Sequence, residues 1–282
     1  MQKIALLTDS SCDLDPQVLA KYNIKMFPFR IIYSDKEYED GVTITPQEVY
    51  DSLEREIPTT SLPSIENIES VLTSLEDEGY THVISINISS ELSGTFNSVR
   101  LILNDHPKLT SFCYDTKTLC LAQGLMVLNA AKMLEEGKSF EDIVEALPKM
   151  REKINVYFTL STLEYLKKGG RIGKVAGTIG ELLSLKPIIH VGDDGIYHTH
   201  CKVRGRRQSL SKLEDILKGY LDKGKCNIAI VHGDGLADGT AVYESIKSHH
   251  NVVDSKFGTI GPALGVHTGP GLIAFIVEEL DS

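Results

Sequence analysis

The sequence predicts an α/β protein of two domains: an N-terminal three-layer α/β/α domain on a parallel sheet, and a C-terminal α/β domain with a mixed sheet. Three observations predict it. Short apolar runs alternate with helical patterns through the first half, the rhythm of strand–helix–strand units. In the second half, Gly192-Asp193-Asp194-Gly195 separates two apolar runs, which marks a hairpin and so antiparallel pairing. A length of 282 residues suits two domains of ordinary size. The change of rhythm near Lys153 places the boundary between residues 1–155 and 156–282.

Each element has a local cause. Ile4 to Leu7 is a short apolar run ending in the polar turn Thr8-Asp9-Ser10-Ser11, which predicts a buried strand. Met26 to Tyr33 is a second run, followed by a polar hairpin or loop over Ser34 to Gly41. Thr45-Pro46-Gln47-Glu48 reads as a helix start, with Thr45 as N-cap, Pro46 at the first helical position and Glu48 closing a capping box. Val49, Leu53 and Ile57 give that helix one apolar face. Ser64 opens the next helix, where Ile65, Ile68, Val71, Leu72 and Leu75 keep the period and Gly79 ends it. A strand over His82 to Ile88 leads to a helix from about Thr95. Thr110 to Tyr114 is a weaker strand before a long helix over about Thr118 to Glu135.

Further along, Ile154 to Leu160 is a strand, and a short helical segment precedes Lys168-Gly169-Gly170-Arg171. Ile188 to Val191 and Ile196 to Val203 are the arms of the hairpin. Leu210, Leu213, Ile216, Leu217, Tyr220 and Leu221 make a helical stripe. Strands over Ile228 to Val231 and Val252 to Thr259 flank a helix near Ala237 to Lys247.

Composition narrows the function classes. Lys+Arg total 29 against 39 Asp+Glu, a net charge of −10, which argues against nucleic-acid binding because phosphate neutralisation dominates that affinity. No apolar stretch is long enough for a membrane span, and the N-terminus lacks a signal peptide's apolar region, so a cytoplasmic location is expected. The 5 cysteines have wide spacings and no C-x-x-C, and the 9 histidines form no H-E-x-x-H, so neither a disulfide framework nor a metal site is expected.

Four polar, turn-rich segments stand out as candidate ligand contacts: Thr59 to Ser64, Ser89 to Thr95, Gly169 to Gly173, and Gly265 to Gly271. Ligands of parallel α/β sheets bind at the carboxyl ends of strands, and helix starts offer free N–H groups to anions. Hydroxyls, glycines, Arg171 and His267, with no carboxylate required, suit a small anion such as a carboxylate or a phosphate. Enzyme signatures fail when tested. Lys168 and Val175 occupy positions that a Walker A loop needs for Gly and Ser/Thr, no serine sits in G-x-S-x-G, and no G-x-G-x-x-G follows the first strand. One enzyme reading stays open, a hydrolase or acyltransferase using Ser93 with His267, and so does a carrier of a small anion without a lipid tail.

The same segments, in order, resemble the DegV family over essentially the whole chain. They are Thr8-Asp9-Ser10 with Asp13-Leu14, Thr60-Ser61 with Pro63-Ser64, Ser89-Ser90-x-Leu92-Ser93-Gly94-Thr95, and Leu163-Glu164-x-Leu166-x-Lys168-Gly169-Gly170-Arg171-Ile172. Lys186-Pro187-Ile188, Lys202-Val203-Arg204 and Gly261-Pro262-x-Leu264-Gly265-x-His267-Thr268-Gly269-Pro270-Gly271 complete the set. Asp115 to Cys120 and Leu272 to Phe275 depart from the family pattern. The resemblance implies a fatty-acid-binding subunit of the FakB type. Such a protein is not itself an enzyme. It holds a long-chain free fatty acid between two domains and presents its carboxylate to a separate ATP-dependent fatty acid kinase subunit, which makes acyl phosphate for phospholipid synthesis. No cofactor beyond the bound fatty acid is implied, and transient contact with a membrane surface is left open.

On this reading, Thr60, Ser61, Ser93, Gly94, Thr95, Arg171, His267 and Thr268 bind the fatty acid in a buried tunnel. Hydroxyls of Thr60, Ser61 and Ser93 donate to the carboxylate, while Arg171 and His267 stand behind them. Arg204, Arg206 and Arg207, in the densest basic run of the chain, are the expected kinase-docking residues.

Overall fold

The computed structural model describes residues 2–178 and 185–281. From the N-terminus, β1 (Ile4–Asp9) leads through one 3-10 turn into α1 (Pro16–Lys21), then β2 (Lys25–Phe27), β3 (Arg30–Ile32) and β4 (Glu37–Glu39). The expected capping box opens α2 (Pro46–Ser52): Thr45 Oγ1 accepts from the Glu48 N–H, and the Glu48 carboxylate accepts from the Thr45 N–H. There follow β5 (Thr59–Ser61), α3 (Ile65–Asp77), β6 (His82–Asn87), α4 (Thr95–Leu103), β7 (Thr110–Asp115), α5 (Cys120–Glu135) and α6 (Phe140–Lys153). The second half runs β8 (Ile154–Thr159), α7 (Glu164–Lys168), a 3-10 stretch (Gly173–Thr178), β9 (Leu185–Val191), β10 (Tyr197–Arg204) and α8 (Arg206–Leu221). It closes with β11 (Cys226–Gly233), α9 (Leu236–Ile246), β12 (Val252–Thr259), α10 (Pro262–Thr268) and β13 (Leu272–Glu279).

These elements form three sheets. The first has the order β2-β1-β6-β7 with every pair parallel. The second, β10-β9-β8-β13-β11-β12, is antiparallel except for the β11–β12 pair, so it is mixed as expected. A small antiparallel sheet, β4-β3-β5, sets Thr60 opposite Ile31.

Alternation along the strands builds the layers. Ala5, Leu7 and Val83 face α3 and α4, where Ile68, Leu72, Leu75, Val99 and Ile102 await them. Leu6, Ile84 and Ile86 face the other way, onto α5 and α6. The far side of α5 and α6 meets the second sheet through Val156, Phe158, Ala274 and Ile276. That sheet's opposite face, with Ile273, Phe275 and Val277, is covered by α8 and α9. α5 therefore lies between two sheets, which explains why it is apolar on every side rather than along one stripe. No helix of the described residues is long and apolar enough to cross a membrane.

Several elements differ from expectation. The run from Met26 to Tyr33 is two strands in two different sheets, broken at Pro28, which has no N–H to offer a ladder. Ile57 lies beyond the end of α2, and Ile65 at the start of α3 is 58% exposed rather than part of the buried face. α6 is a further helix, its apolar pattern interrupted by the internal Pro148, and Ser139 and Asp142 form a second capping box at its start. β13, where Leu272 to Phe275 depart from the family pattern and no strand is expected, is a central strand paired on both sides by β8 and β11. α10 was read as turn, because its glycines mask a helix that Pro262 starts and Gly269, at φ +67°, ends.

Candidate functional site

The carboxyl ends of β1 and β6 are bound together by a buried carboxylate. Asp9 accepts from the N–H and Oγ of Ser11, from the Ile88 N–H at 2.9 Å, and from Asn87 Nδ2. Burial pushes its carboxyl above the ordinary range, against the pull of these hydrogen bonds. The chain then turns sharply, with the N–H groups of Leu92 and Ser93 both donating to the Ser89 carbonyl. Ser89 Oγ donates to the Gly195 carbonyl at 2.8 Å, which docks the tip of the β9–β10 hairpin onto this loop.

Ile88, Leu92 and Ser93 thereby become one wall of a cavity of about 40 Å³. Phe29, Thr60 and Leu119 line it from the first half, and Arg171, Tyr197, Ala263, Leu264, His267 and Thr268 from the second. His267 Nε2 and Thr60 Oγ1 are 2.7 Å apart, while His267 Nδ1 has no hydrogen-bond partner. Burial, aided by the nearby Arg171 charge, pushes His267 down to about 4, so the ring is neutral at pH 7. With the proton on Nε2, Thr60 accepts from the ring and keeps its own hydrogen to give to a ligand. Ser93 Oγ and Thr95 Oγ1 lie 2.8 Å apart. Arg171 spends Nε on the Leu92 carbonyl and a terminal N–H on the Gly169 carbonyl at 2.6 Å.

Among the eight residues expected to hold the ligand, the structure gathers Thr60, Ser93, Arg171, His267 and Thr268 around this cavity. Ser61, Gly94 and Thr95 lie outside the lining. Ser61 points away because neighbours on a strand alternate, and its Oγ accepts from Arg30 instead. Thr95 is fully buried and supports Ser93, and Gly94 is the N-cap residue of α4. Arg171 and His267 were both expected behind the donors, but both form part of the wall. Thr268 donates its hydrogen to the Leu264 carbonyl one turn back, so it has no proton left for a carboxylate. The apolar lining from Phe29, Ile88, Leu119, Tyr197 and Ala263 carried no signal in the sequence. Leu92 and Leu264 lay within the quoted motifs without being singled out.

No carboxylate lines the cavity among the described residues, and its one charged side chain is Arg171, so the site favours an anion. The expected tunnel is present only as this small space, and its apolar lining belongs to the hydrophobic cluster that both sheets share. A serine–histidine couple is not formed. His267 bonds Thr60 rather than Ser93, and no carboxylate orients its other nitrogen, so the hydrolase or acyltransferase reading fails on geometry. Among the described residues no group of His, Cys, Asp and Glu is arranged to hold a metal ion.

Arg204 and Arg207 are exposed, whereas Arg206 is tied to Asp238 at 2.8 Å. Arg204 stands seven residues along β10 from Tyr197 of the cavity wall, roughly 20 Å away.

A family model for DegV, described as an uncharacterised protein family, matches residues 3–280. A DegV domain-containing protein of Clostridium perfringens is 50% identical over 279 residues, covering 99% of each chain. The crystal structure of a fatty-acid-binding DegV family protein from Streptococcus agalactiae is 31% identical, covers 100% of both chains and superposes with a TM-score of 0.91. A stearic-acid-binding protein from Eubacterium ventriosum is also 31% identical, with a TM-score of 0.86 over 99% of this chain and 98% of that one.

Proposed function

This chain belongs to the DegV family, and on that premise we propose that it binds a long-chain fatty acid with its carboxylate in the cavity between Thr60, Ser93 and His267. The observation that carries the reading is the pairing of neutral hydroxyl donors and one arginine with an otherwise apolar wall, in a fold shared with fatty-acid-binding proteins. Burying about 15 methylenes at ~0.8 kcal/mol each supplies on the order of 12 kcal/mol before chain ordering and association entropy are subtracted. Affinity comes from the tail, and the donors set its orientation. A cavity of about 40 Å³ holds the head group alone, so the tail must part the apolar layer formed by Phe29, Ile88, Leu119 and Leu264.

The division at 155/156, with the ligand between the two parts, belongs to the same reading, as does action inside the cell as a carrier rather than an enzyme. The partner is a separate ATP-dependent kinase subunit that phosphorylates the carboxylate. Such transfer needs a carboxylate oxygen free to attack the γ-phosphorus. Arg171 suits this, since its Nε–H and one terminal N–H are spent on the Leu92 and Gly169 carbonyls, which fixes the guanidinium in the wall where its charge balances the carboxylate.

Native mass spectrometry of the purified protein tests the reading: a non-covalent long-chain fatty acid is expected, and an empty or phosphate-loaded protein would contradict it. Ser93→Ala should weaken fatty-acid binding about tenfold, the worth of one hydrogen bond to a charged group. Unchanged affinity would dismiss the head-group assignment. For the partner, Arg204→Ala should reduce phosphorylation by the kinase subunit while leaving lipid affinity intact. Equal loss of both would merge the two roles.

A further inference from the structure

The helix that carries His267 starts without a cap of its own. Gly261 has no side chain to offer, and Pro262 has no N–H. Its free amides are held instead from the other half of the chain. The Gly261 N–H donates to Asp13 Oδ1 at 3.0 Å and the Ala263 N–H to Asp40 Oδ1 at 2.8 Å. Asp40 reaches further. Its Oδ2 accepts from Ser10 Oγ at 2.6 Å, Ser10 Oγ accepts from the Phe29 N–H at 2.9 Å, and the Asp40 N–H donates to the Phe29 carbonyl at 2.9 Å. Phe29 and Ala263 both line the cavity, and Asp40 is 2% exposed. One buried carboxylate thus joins two walls of the site, although it lies outside every segment that pointed to a ligand.

We propose that Asp40 is a positioning residue that clamps the Phe29 wall of the cavity to α10, and that opening of this clamp, shared with the neighbouring Asp13, admits and releases the ligand. The inference rests on the fatty-acid reading above.

The clamp has a built-in sensitivity to charge. Asp9 of β1, Cys12, Tyr50 of α2 and Cys120 of α5 interact electrostatically with one or both of the pair, and Asp15 and Lys256 of β12 line the same surface cleft. Asp13 Oδ2 has no hydrogen-bond partner. Burial raises Asp40 to about 6, and burial together with the Asp40 charge raises Asp13 to about 8. Opening would hydrate both and return them toward the ordinary value near 4. The closed form therefore binds protons more tightly than the open form, so acid holds the clamp shut and rising pH loosens it.

The test is the displacement rate of parinaric acid by excess oleate from the full chain between pH 5.5 and 8.5. Wild type should exchange at least about tenfold faster at the upper end. Asp13→Asn/Asp40→Asn keeps an acceptor for the Gly261 and Ala263 N–H groups without either charge, so this double variant should exchange slowly and lose most of the pH dependence. Asp40→Ala should exchange fast throughout. A wild-type rate flat across this range, or a double-variant profile matching wild type, would overturn the clamp. Failure of wild type to take up parinaric acid at any pH would overturn the fatty-acid reading instead.

Discussion

Gly169→Ala is expected to cost the protein about a hundredfold in fatty-acid affinity while lowering its melting temperature by only a few degrees. Gly169 caps α7 with ordinary helical dihedrals, so alanine suits the backbone and would by itself favour the helix by about 1 kcal/mol. The obstacle is His267. A Cβ at position 169 would fall on His267 Nδ1, far inside van der Waals contact, and 3.1 Å from the Tyr165 carbonyl. The ring has to swing away, which breaks its bond to Thr60 and unseats two groups of the head-group site. Losing that arrangement corresponds to about 3 kcal/mol of binding, or two powers of ten. Displacement titration and calorimetry read the two effects separately. The double variant Gly169→Ala/His267→Ala should regain thermal stability without regaining affinity, since the clash and the donor are removed together. Wild-type affinity in Gly169→Ala would show that the ring's position is immaterial to binding.

Thermal stability should rise as pH falls from 8.5 to about 6.5, pause between about 6.5 and 6, and rise again toward about 4. Asp13, raised to about 8 by burial and the Asp40 charge, keeps its proton in the fold where an unfolded Asp has released it near 4. A raised carboxyl destabilises above its folded value, and that cost is relieved as pH drops toward the unfolded value. Between pH 8 and 6.5 this amounts to about 2 kcal/mol, or several degrees in a chain of this size. Below 6.5, Asp40 adds its own relief, but burial and the Arg171 charge hold His267 down at about 4, so keeping it neutral costs more with each further unit of acid. Asp13 and His267 cancel between about 6.5 and 6, and below 6 the two carboxyls outweigh the one imidazole. Asp13→Asn keeps an acceptor for the Gly261 N–H without the charge, so it should raise the melting temperature at pH 8.5 far more than at pH 6. An equal shift at both pH values would contradict the assignment.

Short-range chemistry was readable along the chain. The Thr45–Glu48 capping box, the Gly79 stop, the Gly192–Gly195 hairpin tip and the alternation that splits Leu6 from Ala5 and Leu7 all depend on residues a few positions apart. The errors came where a neighbour distant in sequence overruled that chemistry. The glycines of α10 look like turn until Asp13 and Asp40 cap them from the far half, whereas the break at Pro28 between two sheets is itself a local signal. Likewise Thr60 and Ser61 are chemically interchangeable to a reader of the sequence. Only the pairing of Thr60 with Ile31 decides which hydroxyl faces His267.

By itself, then, the order of residues determined the architecture, the hydroxyl-rich segments and the family, because strand and helix periods, caps and turns are written in consecutive positions. The tertiary structure alone decided which of those hydroxyls share a cavity, that Arg171 lies in its wall, and that Asp40 joins Phe29 to α10. Those relations span more than two hundred residues in places, and they exist only because α5 and α6 pack between two sheets and bring the halves of the chain into contact.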